Sequence, residues 1–478
     1  MTRTMLFYGH VASNWGDLAI NAGALELLRR AEVDIDASTA VILAPSDHFR
    51  RQSGFTLKGM KQLIVPTDGR ARGGRDEVEL LIDYVAHPHR FAEDVGMADV
   101  DLVVLNGGEH LFESATGENL IDLVWRILPA LAAHSLRKPV VLLPSTVGPF
   151  RTAFWTALDE FLHQGLYAAA YRDLESRRLE SREKGRELPV LLDPGFFVPG
   201  LRAQENEKRD EDVLGIVLRP EDMGIRPGSR RSAFVQNKLR ESQFRRSQAF
   251  QLFTSVAEAH LADGGKVKVI VQTRADREIS TAVAEHLTEI AGPDRVELVD
   301  QAGFRSFVDE VGRLGALVTS RFHSVILASA QAVPSVGVYS ETHGHKMPGL
   351  FELLKFPDCA VRLDERDISA VREEVDSALS TVRSSIDEIH NRIRANRTLV
   401  RRWFAEVIAS QEKSTFDTSA LQIEALALLY RAGLERAQKE SLSDVLRAVQ
   451  ELHDTDAYTD DDVPAQSRAE TDREEKTR

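Results

Sequence analysis

Short apolar runs recur along the chain, with longer amphipathic stretches between them. The runs are "TMLFYG", "AVILAP", "DLVVLNGG", "PVVLLPS" and "LPVLLD", then "VLGIVLRP", "KVKVIVQT", "RVELVD", "ALVTSRFHS" and "PSVGVYS". They are rich in Val, Leu and Ile and continuous rather than alternating. Strands of a parallel sheet covered on both faces read this way. Between them lie stretches of helical period such as "LAINAGALELLRRA", "ENLIDLVWRILPALAAH", "SQAFQLFTSVAEAHLADGG" and "EISTAVAEHLTEIAG". The alternation predicts an α/β, doubly wound architecture.

The pattern breaks once in the middle. "VPGLRAQENEKRDED", residues 198–212, is polar, charged and poor in aromatics, and reads as a linker. It divides the chain into two Rossmann-like domains, about 1–200 and 212–360, facing a cleft of the kind that commonly holds a substrate. From about Asp364 the chain turns helical and charged, which predicts a C-terminal helical extension over 364–453. Its apolar residues recur near a seven-residue spacing. That suits a long helix lying on the body or pairing with a second subunit. Residues 454–478 are acidic with little to bury and are expected to be disordered. A strongly basic segment, residues 224–246, fits either a solvated surface loop or a flap over an anionic ligand.

Composition narrows the class. A chain of 478 residues, 43% hydrophobic and 28% charged, has ample material for real cores. One cysteine, Cys359, excludes a disulfide framework and a thiol-built zinc cluster. The start "MTRTMLFYGHVASNWGD" turns polar too soon for a signal peptide, and no apolar run approaches the roughly 20 residues of a membrane span. The expected location is cytoplasmic, with room for a peripheral place at the inner face of the membrane. A net charge of -14 disfavours nonspecific nucleic-acid binding but leaves room for a local basic site.

Chemistry-bearing residues cluster where strands end. Asn14, Gly16 and Asp17 follow the first strand; Asp17 could be a helix cap or face a ligand. Gly9, Gly16 and Gly23 are spaced too widely for a dinucleotide fingerprint. Gly107 and Gly108 follow another strand and permit close backbone approach, with Glu109 a candidate base and His110 a candidate acid. Thr146, Gly148 and Pro149 form a strand-end loop. Arg172 and Asp173 follow the next strand, with Asp173 suited to cap the helix behind it. Arg219 and, more weakly, Arg274 end strands of the second half, where a guanidinium fork can bind carboxylate or phosphate. "SRFHSVILASAQAVPSVGVYSETHGHK" then gathers Arg321, His323, His343, His345 and Lys346 in one strand–helix–strand–loop unit. A helix N-terminus beside Arg321 makes an anion site there.

Taken in order, "NWGDLAINAGAL", "DLVVLNGGEHLF", "STVGPF", "YRDLES", "LLDPGFFV", Arg219, "SRFHSVILASAQAVPSVGVYS" and "HKMPGL" resemble the polysaccharide pyruvyl transferase family. Phe322 stands where leucine is common, and "SETHGH" before Lys346 is longer than the family's pattern. The resemblance implies a two-domain, GT-B-like fold. It implies transfer of a pyruvyl group from phosphoenolpyruvate to two hydroxyls of a sugar in a cell-surface, exopolysaccharide or lipid-linked glycan, giving a cyclic ketal and phosphate. Phosphoenolpyruvate is then a co-substrate, and neither a cofactor nor a metal is expected. Arg219 and Arg321 are assigned to the donor anion and His323, as imidazolium, to protonation of the methylene carbon. Asp17 is the expected base or acceptor-positioning group; Asn14, Gly16, Gly107, Gly108 and Lys346 are expected to bind substrate. Two other readings stay open: a GT-B glycosyltransferase using a nucleotide sugar, and a non-catalytic binding protein on the same fold. So does a homo-oligomer formed through the C-terminal helices.

Overall fold

The computed structural model describes residues 2–9, 14–44, 60–67, 77–113, 119–179, 187–201, 209–219, 243–301, 303–340, 346–364, 366–410, 412, 415–435 and 438. The first half contains β1 (Thr4–Gly9), α1 (Trp15–Arg30), β2 (Thr39–Ala44), β3 (Lys61–Pro66), α2 (Glu77–Ala86), α3 (Pro88–Asp94), β4 (Leu102–Leu105) and β5 (Gly108–Leu111). It continues with α4 (Leu120–Ser135), β6 (Val140–Val147), α5 (Phe154–Glu160), β7 (Ala168–Tyr171) and α6 (Leu174–Arg178). All its strand pairs are parallel, in the order β3-β2-β1-β4-β6-β5, with β7 also on β6.

The second half contains β8 (Asp210–Val217), α7 (Gln248–Ala262), β9 (Lys266–Ile270), α8 (Arg277–Ala291), β10 (Val296–Val299) and α9 (Phe304–Arg313). It continues with β11 (Leu314–Thr319), α10 (Phe322–Ala330), β12 (Ser335–Tyr339), α11 (Lys346–Leu353) and β13 (Ala360–Arg362). Its order, β10-β9-β8-β11-β12-β13, is again wholly parallel. In each sheet the winding direction reverses between the first strand and the fourth, at β1/β4 and at β8/β11. Such switch points open a crevice at the carboxyl ends of the strands, where α/β proteins bind ligands.

Most predicted strands form where the apolar runs lie. "LPVLLD" does not: Val190 makes only an isolated parallel bridge to Tyr171, and a 3₁₀ turn, Pro194–Phe197, follows. Prolines at 189 and 194 remove the donors a ladder needs. The segment instead lies under α1. A Cβ on Gly23 would collide with the Pro194 carbonyl, so helix and turn touch backbone to backbone. That contact fixes Asp193 beneath the crevice.

The C-terminal segment forms two helices, α12 (Ile368–Ser384) and α13 (Ile386–Ala409), broken at Ser385 rather than continuous. Val371, Val375 and Val382 of α12 are buried in the second core, where α12 lies on α7, β12 and β13. The α13 helix contacts both α1 and α10, one from each half. A further helix, α14 (residues 419–435), returns to the first half. There Leu421, Ala425, Leu428 and Leu429 join the core beside Val78 and Leu81. The apolar spacing is therefore used against the body. Residues 454–478 lie outside the described residues, as do 202–208 and 220–242. Among the described residues no helix is long and apolar enough to cross a membrane.

Candidate active site

A cavity of about 210 Å³ opens at the facing switch points and is lined from both halves. From the first half it takes Asn14, Asp17, Glu109 and Arg172; from the second, Arg219, Arg321, His323 and Lys346. Gln272 also borders it and ties the halves together. Its side chain donates to Asn14 Oδ1 (3.3 Å) and accepts from Ser324 Oγ (2.7 Å). The Trp15 amide donates to the Gln272 carbonyl (3.3 Å), and Asn14 forms an antiparallel bridge with Thr273.

Asn14, not Asp17, caps α1: its Oδ1 accepts from the Gly16 amide (3.0 Å) while its Nδ2 donates to Asp17 Oδ1 (2.9 Å). This leaves Asp17 in the first turn, held toward the cavity. Gly16 is close to His323: a Cβ there would stand 2.6 Å from His323 Nδ1. Its place is to let the ring lie against the start of α1. Gly107 and Gly108 do not line the cavity. A Cβ on Gly107 would meet the Pro144 carbonyl at 2.5 Å, and Gly108 has a φ of 138°, which suits glycine. They are packing residues that bring Glu109 to the cavity through β5.

Arg172 anchors the floor. It is buried, donates from Nε to Thr146 Oγ1 (2.8 Å) and from Nη1 to Asp193 Oδ2 (2.6 Å), and lies 4.8 Å over the Phe322 ring. Asp193 Oδ1 in turn accepts from the Gly195 amide (2.6 Å). Asp173 caps α6 as expected, accepting from the Ser176 amide (2.7 Å) and from Thr146 Oγ1 (2.7 Å).

Arg321 is less available than the sequence suggests. It starts α10 and lines the cavity, but its fork closes on Asp276: Nε donates to Oδ2 (3.0 Å) and Nη2 to Oδ1. Thr273 Oγ1 accepts a further bond (3.3 Å). Burial pushes the Asp276 carboxyl up, and the guanidinium pulls it back. A buried carboxylate needs such a partner, so Arg321→Ala would disturb folding as well as any ligand. Arg274 is exposed and does not reach the cavity.

Lys346, at the start of α11, pairs with Glu109 across the two halves. Burial works against the Glu109 charge, but Lys346, Arg172 and Arg219 hold its carboxyl below the usual range. Burial likewise lowers the Lys346 ammonium, with Glu109 opposing and Arg219 and Arg172 adding to the effect. The lining thus holds Arg172, Arg219, Arg321 and Lys346 against the carboxylates of Asp17 and Glu109.

His323 lines the cavity in a setting that disfavours the imidazolium. Burial pushes it down to about 4; Asp193 and Glu109 pull upward, while Arg172 and Lys346 push further down. Its Nε2 is 3.9 Å from Asp193 Oδ2 and has no hydrogen-bond partner among the described residues. Its place in the first turn of α10, against the start of α1, also disfavours positive charge. The ring is therefore neutral at pH 7 in the unliganded protein. His343 and His345 lie outside the described residues, as does the side chain of His110.

Sequence reasoning missed four supporting residues. Asp193 sits in "LLDPG", whose aspartate looked like the end of a strand. Asp276 and Thr273 form a capping box, a T-x-x-D signal visible in "TRAD". Gln272 carries no sequence signal beyond its place at the end of an apolar run.

A family model described as polysaccharide pyruvyl transferase matches residues 14–342. No curated protein matched. Among solved structures, the chain is similar to a putative UDP-N-acetylglucosamine 2-epimerase from Listeria monocytogenes at 11% identity and a TM-score of 0.50, covering 87% of this chain and 99% of that one. It is also similar to the UDP-GlcNAc 2-epimerase from Neisseria meningitidis bound to UDP-GlcNAc, at 10% identity and a TM-score of 0.51, covering 86% and 100%. Likeness at this identity places the fold as GT-B-type and says nothing about substrate.

Proposed function

This chain belongs to the polysaccharide pyruvyl transferase family, and we propose that it uses phosphoenolpyruvate to form a pyruvate ketal on two hydroxyls of a sugar. The observation that carries the reading is the convergence of Arg172, Arg219 and Lys346 with an imidazole on one polar cavity. Phosphoenolpyruvate is a small, dense anion with two charged groups, and guanidinium forks bind both kinds by paired, charge-assisted bonds. Arg321, engaged by Asp276, shapes the donor side and offers its remaining edge.

The chemistry divides into two additions. A first sugar hydroxyl attacks C2 of the enol while C3 gains a proton and becomes a methyl group. A second hydroxyl then displaces phosphate from C2, its proton leaving with the phosphate. His323 delivers the C3 proton. Neutral in the free protein, it becomes able to hold a proton when the donor's charges offset Arg172 and Lys346. Asp17, facing from the other half, accepts the proton of the attacking hydroxyl. Asn14 orients Asp17, and Gly16 leaves room for the ring. The acceptor is a sugar of a glycan or lipid-linked glycan, and a cytoplasmic setting fits a supply of phosphoenolpyruvate.

The test is incubation in D₂O with phosphoenolpyruvate and a panel of glycans, following phosphate release and the product methyl signal. One deuteron should enter the methyl group. A protein that binds UDP-sugars but not phosphoenolpyruvate in calorimetry would overturn the reading in favour of a glycosyltransferase.

A further inference from the structure

A second, smaller cavity lies in the first half, at the carboxyl ends of β1, β4 and β6. It offers about 40 Å³ to water and is walled by Leu43, Leu105, Leu111, Pro129 and Tyr8. One charged group enters it, Arg126 of α4. Among the described residues Arg126 makes no ion pair; Asp122, one turn back, and Asp17 act on it only through their fields. Burial pushes its guanidinium down, against the pull of those two carboxylates. Tyr8 borders the cavity at the end of β1, while its ring packs in the core on the other face of the sheet, beside α1.

A partly buried guanidinium without an ion pair is weakly solvated on its apolar side, and an anion held there would gain a charge-assisted contact. The room is that of a few waters, enough for one substituent and too little for a sugar ring. Its neighbour is the larger cavity, since Asp17 lines that cavity and also acts on Arg126.

We propose that Arg126 forms an acceptor subsite that takes an anionic substituent, a carboxylate or phosphate carried on the sugar to be modified. This rests on the transferase reading for its place in the reaction, though not for its binding chemistry. The apolar walls pack against the carbon skeleton that carries the charge, and Arg126 selects the charge. The chain would then prefer acidic glycans to neutral ones.

The test measures sugar binding without donor, by ligand-observed NMR and calorimetry. Methyl glucuronide and methyl galacturonide are compared with the neutral methyl glucoside and with inorganic phosphate. Wild type should bind at least one sugar acid tenfold or more tightly than the neutral sugar, and Arg126→Met should abolish the difference. Arg126→Lys should keep part of it. Equal binding of acidic and neutral sugars, or a preference that survives in Arg126→Met, overturns the subsite. So does inorganic phosphate binding as tightly as the sugar acids, which would mark a free-anion site. Thermal melting gives a second readout. Without ligand, Arg126→Met should melt no lower than wild type, because it breaks no ion pair among the described residues. A fall of several degrees would make Arg126 a structural residue and overturn the proposal. Phosphoenolpyruvate titrations are read separately: their failure on wild type would sink the transferase reading and leave the sugar-acid result standing.

Discussion

His323 should carry no proton in the free protein and gain one as donor binds. With its titration near 4, the protonated fraction at pH 7 is about 10⁻³, so forming the imidazolium costs about 4 kcal/mol. Arg172 and Lys346 contribute to that cost, and both line the cavity where the donor anion would sit. A charge pair at about 4 Å, at the effective dielectric of a protein surface, is worth about 4 kcal/mol. One well-placed phosphate or carboxylate can therefore bring the ring back to about 7. Wild type should then take up roughly half a proton more than His323→Gln on binding phosphoenolpyruvate at pH 7. The donor's own proton equilibrium is common to both proteins and cancels in the difference. The assay is calorimetric titration in two buffers of different ionisation enthalpy. Turnover of His323→Gln should fall by roughly 10²–10⁴, the usual worth of general acid catalysis. Equal proton uptake by the two proteins would refute the reasoning. So would a His323 ring resonance that titrates near 6.5 without donor.

Three further outcomes are expected. His323 and His134 both titrate near 4 when folded, His134 chiefly through burial. The unfolded chain takes up their protons first, so stability should fall as pH drops from about 6.5 toward 4, by up to about 3 kcal/mol each. Urea midpoints across that range should fall less in His134→Leu. Arg172→Met leaves Asp193 buried without its partner and should lose about 3–5 kcal/mol in urea unfolding, with Arg172→Met/Asp193→Leu recovering part of the loss. Leu429→Ala, at a fully buried position of α14, should cost about 2–5 kcal/mol, while Leu434→Ala, 66% exposed on the same helix, should stay within about 0.5. Equal effects at the two leucines would mean that α14 does not dock on the first half.

Both sheets were legible because their central strands are buried on both faces and read as unbroken apolar runs. The missed strands sit at edges or are very short. In β3, "KQLIVP", only Val65 is buried, and β13 has three residues, so neither need be strongly apolar. The site was legible where chemistry follows a strand end: Asp17, Arg219, His323 and Lys346 all reach the cavity. What sequence could not show is which cations are already engaged. Arg321 and Arg172 look alike along the chain, each following a strand. Only folding reveals that Asp276, 45 positions away, closes on one, and Asp193, 21 positions away, holds the other. Protonation was equally hidden. A histidine beside an arginine reads as an acid until burial and two helix starts set its charge.

These partners divide the labour at the cavity. Arg321 is gripped through Nε and Nη2, so most of its fork is used in joining α10 to the loop after β9. Arg172 spends Nε and one Nη1 bond on Thr146 and Asp193, and its guanidinium lies over Phe322 at the cavity lining. Lys346 and Glu109 pair across the two halves, so an anion that attracts Lys346 also loosens that pair. A donor anion would then exchange one interdomain contact for another without unbalancing the charge of the cavity. The main-chain bridge between Asn14 and Thr273 stays in place through this exchange, since it involves neither group. The expected consequence is local: ligand binding should reorganise the start of α11 and β5 while leaving the two sheets in register.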